Sequence, residues 1–211
     1  ESRLSPSLVY NTVDSPFTPR RGMKLTISGQ FTGGPLGGTL NYMRPDLEGV
    51  FYIPHTRKTA LGVRAQFGMI LPYSSTAVID PVTGRSSLPF YLRFYMGGEQ
   101  QIRGYNIRAV GPREPSSLAL VGGDKFALFN AEYYFDVFGP VRALLFFDAG
   151  QAYLKGEKMG LRSAVVSTGA ELRFIMPVLN VPFRLIYAIN PNADPLFAEK
   201  RTFRFAVGTT F

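Results

Sequence analysis

Arg201-Thr202-Phe203-Arg204-Phe205-Ala206-Val207-Gly208-Thr209-Thr210-Phe211 ends the chain. Side chains alternate across an extended backbone. Phe203, Phe205, Val207, Thr209 and Phe211 therefore share one face, and Thr202, Arg204, Ala206, Gly208 and Thr210 the other. One face suits hydrocarbon and the other suits water, the period-two pattern of a strand in a membrane-barrel wall.

The same period recurs upstream. Apolar residues return at spacing two, with Gly, Pro, Asn and Asp in the gaps, over residues 5–11, 22–32, 39–53, 59–71, 125–137, 141–154, 164–176, 182–190 and 201–211. No segment carries a convincing helical period. The sequence reads as all-β: an antiparallel transmembrane β-barrel region over residues 1–211 with about 8–10 strands.

Composition agrees without deciding. The 211 residues include no Cys and no Trp but 22 Gly, 18 Phe and 11 Tyr, the interfacial aromatics and turn formers that membrane strands use. Missing Cys is compatible with an oxidising envelope. No run approaches the roughly 20 apolar residues of a membrane helix, which excludes a helical membrane protein. Glu1-Ser2-Arg3 does not open a secretory signal, so any signal is expected to have been removed or to lie outside this piece. The formal net charge is +8, yet Arg64, Arg142, Arg173, Arg184 and Arg204 fall singly on the polar sides of alternating segments. A closed sheet points them into a lumen, so nucleic acid is not an expected partner.

The connections sort into two kinds. Asp14-Ser15-Pro16-Phe17-Thr18-Pro19, Pro54-His55-Thr56-Arg57, Phe138-Gly139-Pro140 and Val178-Leu179-Asn180 read as tight turns; residues 33–38, 155–162 and 191–200 read as looser loops. Short turns on one side and longer loops on the other is the asymmetry of outer-membrane barrels. Counting back from a periplasmic C-terminus puts every tight turn on the periplasmic side and makes residues 72–124 one long extracellular loop. Leu88-Pro89-Phe90-Tyr91-Leu92-Arg93-Phe94-Tyr95-Met96-Gly97 alternates well enough to pass as a strand. A further crossing there would put the tight turns on the wrong side, so the segment is expected to fold back inside the loop, where loops of this length carry function.

Several stretches resemble the BamA-type outer-membrane assembly factors of the bacterial surface antigen superfamily. They are the opening Ser5-Pro6-Ser7-Leu8-Val9-Tyr10-Asn11 with Thr18-Pro19-Arg20-Arg21-Gly22, then Gly97-Gly98 and Ile102-Arg103-Gly104-Tyr105, then Phe146-Phe147-Asp148-Ala149-Gly150, and the closing Val207-Gly208-Thr209-Thr210-Phe211. The resemblance implies that the loop with Arg103, Gly104 and Tyr105 enters the barrel and that its arginine meets acidic residues on the wall. Strand alternation supplies two of these independently. Asn130, Glu132 and Asp136 share the polar face of one strand, and Arg142, Asp148 and Gly150 that of the next. Arg103 is expected to join Asp148 and Glu132 in a charge-assisted contact; the alternative is that all three are solvated lumen charges. Gly97 and Gly98 read either as required loop glycines or as ordinary ones, and Gly104 is the glycine expected where the backbone passes close to the wall.

The resemblance further implies that the terminal strand, through Phe203, Phe205, Val207, Gly208 and Phe211, lines a loosely paired seam where a client strand adds by edge pairing. The alternative is an ordinary closing strand with an aromatic insertion signal. The family barrel has sixteen strands preceded by periplasmic domains, so this chain reads as its C-terminal half, without those domains, or as a small barrel closing on itself with about eight strands.

Enzymatic chemistry lacks its parts. The only His is His55, in a tight turn, no Cys exists and no Gly-x-Ser-x-Gly elbow occurs; no cofactor or metal is expected. The resemblance implies folding and insertion of client β-barrel proteins into the bacterial outer membrane. Its expected partners are unfolded client outer-membrane proteins, the lipid bilayer with its lipopolysaccharide, and accessory assembly lipoproteins. Polypeptide translocation through the lumen, of the two-partner secretion type, and passive diffusion stand as alternatives.

Overall fold

The computed structural model describes residues 2–79, 87–160, 163–176, 181–209 and 211. Among these residues eleven antiparallel strands form one sheet. They are β1 (Arg3–Leu4), β2 (Ser7–Asn11), β3 (Gly22–Thr32), β4 (Tyr42–Pro54), β5 (Thr59–Met69), β6 (Leu71–Pro72), β7 (Lys125–Phe138), β8 (Val141–Tyr153), β9 (Val165–Met176), β10 (Val181–Ile189) and β11 (Arg201–Val207). The order is β1-β3-β4-β5-β7-β8-β9-β10-β11, with β2 also on β3 and β6 also on β4.

Nine expected strands become eleven because one gains a short strand before it and another is interrupted. The first, expected over residues 5–11, is preceded by a further short strand, β1, and the two are separated at Pro6, which has no N–H to donate; its carbonyl accepts from Gly29 N at 3.0 Å. β1 and β2 then pair with the two ends of the same β3 edge. The fourth breaks at Ile70, whose N–H turns to Asp124 O at 2.7 Å, and β6 moves onto β4 at Tyr42 and Met43. The expected turn at residues 178–180 lies outside the described residues.

The alternation sorts faces as lipid exposure requires. Phe67, Phe129, Phe147, Leu172, Leu185, Phe203 and Phe205 stand outward and exposed, while Tyr134, Leu144, Ile186 and Ala188 are buried on the concave side. A sheet that is apolar outside, and both apolar and charged inside, suits hydrocarbon rather than water.

The segment between β6 and β7 folds into the concave face, and the strand-like stretch 88–97 lies within it. Phe90–Leu92 is a short 3-10 turn, and Phe94 and Met96 make isolated bridges to Gly123 and Val110. Leu88, Phe94, Met96, Ile102 and Tyr105 then pack with Phe126 and Leu128 of β7. Two expectations are corrected. The sheet does not close on itself, because β1 and β2 lie at one end of the strand order and β11 at the other, so the self-closed small barrel is not formed. Phe211 does not face lipid. Gly208, at φ +104°, ends the alternation at Val207, and the tail turns inward until Phe211 stacks on Tyr52 of β4 at 6.2 Å.

Candidate functional site: a loop arginine in a buried ion cluster

Four neighbouring strands project charge onto one spot because each has polar residues at its inward positions. β7 brings Asn130 and Glu132, β8 brings Asp148, β9 brings Ser167, Glu171 and Arg173, and β10 brings Arg184; all are buried. Asn130, Asp148 and Ser167 lie in one cross-strand row. Arg142, Arg173 and Arg184 lie in another, a like-charge alignment that demands acidic neighbours.

Into this wall the loop inserts Arg103, which is completely buried. Its Nε and Nη2 donate to the two oxygens of Asp148 at 2.8 and 2.7 Å, a bidentate fork. Nη1 donates to Glu132 at 2.6 Å and to Glu171 at 3.1 Å, and the guanidinium lies 3.9 Å over the Phe146 ring. Burial alone would lower the Arg103 pKa, but Asp148, Glu132 and Glu171 outweigh it and hold the group well above its ordinary value. The backbone is gripped as well. Arg103 N donates to Asp148 at 3.1 Å, Gly104 N donates to Ser167 Oγ at 3.0 Å, and Asn190 Nδ2 donates to Gly104 O at 2.9 Å.

The carboxylates carry further partners. Asp148 accepts from Asn130 Nδ2 at 2.8 Å. Glu132 accepts from the Tyr134 hydroxyl and from Arg173 Nη2 at 2.8 Å. Glu171 accepts from Arg173 Nε and twice from Arg184, at 2.7 and 2.9 Å. Arg103, Arg173 and Arg184 thus balance Glu132, Asp148 and Glu171, each side chain at most 4% exposed. Such burial is tolerable only when charge and hydrogen bonds are both satisfied.

The structure therefore brings Arg103, Asp148 and Glu132 together. Glu171 was not singled out from the sequence, yet Ser167, Gly169, Glu171 and Arg173 alternate inward along β9 as Glu132 does along β7, so the same signal marks it. Gly104 sits where an added Cβ would fall 1.7 Å from Asn190 Oδ1, and Gly97 and Gly98 have φ of +110° and +98°. Tyr105 packs in the loop core with its hydroxyl unpartnered, and burial pushes its pKa up to about 12. Phe203, Phe205 and Val207 face outward on β11. Among the described residues that strand has β10 as its strand partner. The loop reaches β11 as well: Arg204 donates to Glu99 at 3.0 Å and to Asn106 at 2.6 Å, while the Glu99 carbonyl accepts from Arg184.

An open, curved sheet with an apolar outer face, whose inner face is occupied by its own loop through a buried ion cluster, defines part of an outer-membrane β-barrel with an internal loop. A family model described as the Omp85 superfamily domain matches residues 1–211. The chain belongs to the Omp85 superfamily, and its location is the bacterial outer membrane. The Outer membrane protein assembly factor BamA of Nitratidesulfovibrio vulgaris is 31% identical over 205 residues, covering 95% of this chain and 24% of that protein. The protein of the same name from Neisseria meningitidis serogroup B is 24% identical over 233 residues, covering 95% and 28%. The Sorting and assembly machinery component 50 homolog of Bos taurus is 26% identical over 128 residues, covering 60% and 24%. The crystal structure of BamA from Haemophilus ducreyi lacking POTRA domains 1–3 superposes with a TM-score of 0.77 at 18% identity, over 98% of this chain and 42% of that one. The chain thus spans about a quarter of the length of these curated relatives.

Proposed function

We propose that this chain is the part of an outer-membrane assembly factor that receives client β-barrel proteins, with β11 lining the seam and Arg103 bracing the loop behind it. One observation carries the proposal: Arg204 ties the inner face of β11 to the loop that Arg103 seats, so this strand is held from the lumen side. A free edge offers unpaired N–H and C=O groups to an incoming strand, and in hydrocarbon those groups cannot be left unpaired. The client's own hydrogen bonding then drives insertion without nucleotide energy or covalent catalysis. Unfolded outer-membrane proteins, the bilayer with its lipopolysaccharide, and accessory assembly lipoproteins are the partners of this reading, and residues 72–124 are its extracellular loop.

Photo-crosslinkers at Phe205 and Val207 on β11, and at Asn106 on the lumen side, test it in the whole protein during client synthesis. Client adducts at the β11 positions support insertion at the seam. Adducts confined to the Asn106 position would transfer the assignment to secretion through the lumen. Steady conductance in lipid bilayers without client, with no adducts, would leave a diffusion pore.

A further inference from the structure

The outward face of β5, β7 and β8 is not uniformly bulky. Ala65 pairs with Phe129, Phe129 with Ala149, and Phe67 with Ala127, so alanines and phenylalanines alternate as a checkerboard. Phe67, Phe129 and Phe147 project, at 39–47% exposure, while Ala149 is 5% exposed although it points outward. The result is an apolar groove of about 540 Å³, within the ~300–1,000 Å³ of small-molecule sites. Met159 and Gly160 border it at the loop end, where the Tyr153 hydroxyl donates to Gly160 O at 3.0 Å.

The loop end of the groove is basic. Lys125 begins β7 on the same outward face as Ala127, and its Nζ donates to Glu157 O at 2.6 Å. Lys155 and Lys158 flank that residue. The Glu157 carboxylate is turned back onto Leu154 N at 2.7 Å, so these three lysines outnumber the one acid among them. An apolar groove in hydrocarbon with cations at the head-group end is complementary to an acyl lipid carrying phosphate.

We propose that this groove binds an acyl chain of lipopolysaccharide, with Lys125 and its neighbouring lysines meeting the lipid's phosphate. The proposal rests on the outer-membrane orientation given above, which puts this loop end at the outer leaflet. The chain is already in hydrocarbon, so burial supplies no hydrophobic gain; shape fit and the phosphate–lysine attraction supply selectivity. Ala149 directly follows Asp148 on β8, so the bound chain lies behind the strand segment that anchors Arg103.

Native mass spectrometry of the whole protein released from nanodiscs of lipid A, phosphatidylglycerol or phosphatidylcholine tests the site. Lipid A is expected to be retained, and the two phospholipids lost at least tenfold more readily. Ala149→Leu fills the groove and is expected to abolish selective retention, whereas Ala143→Leu, outward on β8 but outside the groove, leaves it intact. Lys125→Gln, which removes the cation while its amide can still donate to the Glu157 carbonyl, is expected to weaken retention about fivefold, as is lipid A lacking a phosphate. Equal retention of phosphatidylglycerol, retention of no lipid, or indifference to both substitutions overturns the proposal. Seam crosslinking by clients is read separately, so either reading can fail alone.

Discussion

Asp148→Asn is the perturbation that most directly questions the buried cluster. Asp148 accepts from Arg103 N, Nε and Nη2 and from Asn130 Nδ2. An amide keeps one accepting oxygen and turns an N–H₂ group toward donors, so part of this set loses its acceptor. The substitution also leaves Arg103, Arg173 and Arg184 facing only Glu132 and Glu171, one positive charge in excess in a site closed to water. Breaking a buried pair from one side costs about 3–5 kcal/mol. Because the amide oxygen retains some bonding, about 3 kcal/mol is expected, or roughly a hundredfold in the ratio of docked to undocked loop. Hydrogen exchange at Gly104, whose N–H bonds Ser167 Oγ on the wall, reads that ratio directly, and thermal melting in detergent reads the global share. Arg103→Gln combined with Asp148→Asn restores neutrality and is expected to cost less than the two single changes added. Exchange unchanged in Asp148→Asn, with stability within about 0.5 kcal/mol of the parent, would refute the reasoning, because it would mean that water screens Arg103.

Three further outcomes follow from the same geometry. Gly104→Ala drives a Cβ into Asn190 and is expected to destabilise by about 1–3 kcal/mol, measured by melting and by loss of protection at its own amide. Arg204 and Glu99 are partly solvent-exposed, so a double-mutant cycle with Arg204→Gln and Glu99→Gln is expected to give about 0.5–1 kcal/mol, with the change in exchange confined to β11 and the loop. Tyr105 carries a phenol raised by burial to about 12 from an unfolded value near 10. Stability linked to it is therefore fully present below pH 10 and falls as pH rises from about 10 to about 12. Tyr105→Phe removes an unpartnered buried hydroxyl, is expected to be neutral or stabilising at pH 7, and should lessen that alkaline slope in denaturant titrations.

Alternation alone located the nine main strands to within a few residues, because one buried charge or exposed Phe on the wrong face is expensive in a wall between lipid and lumen. It also told that residues 88–97 could not cross, since topology forbade what local pattern allowed. Pro6 and Ile70 show where pattern stops: each separates two strands while the pairing continues on either side. Phe211 leaves the face that alternation assigns it because a single glycine at positive φ resets which face a residue takes, and a period-two count passes straight through it. In the site, Asp148, Glu132 and Glu171 all carry the alternation signal on their strands, but only the cross-strand register, which aligns Arg142, Arg173 and Arg184, shows why a third acid is needed beside Arg103.

The balanced cluster also ties the seated loop to distant parts of the chain. Arg103 precedes all of its sockets in the chain, by 29 residues to Glu132, 45 to Asp148 and 68 to Glu171. A barrel wall holding only β7 and β8 offers the arginine two acids but neither Ser167 for the Gly104 amide nor Asn190 for its carbonyl. Full seating of the loop, with Ser167 and Asn190 as well as the three acids, therefore requires β9 and β10 to be in place, so the docked loop reports that the wall has been built through β10.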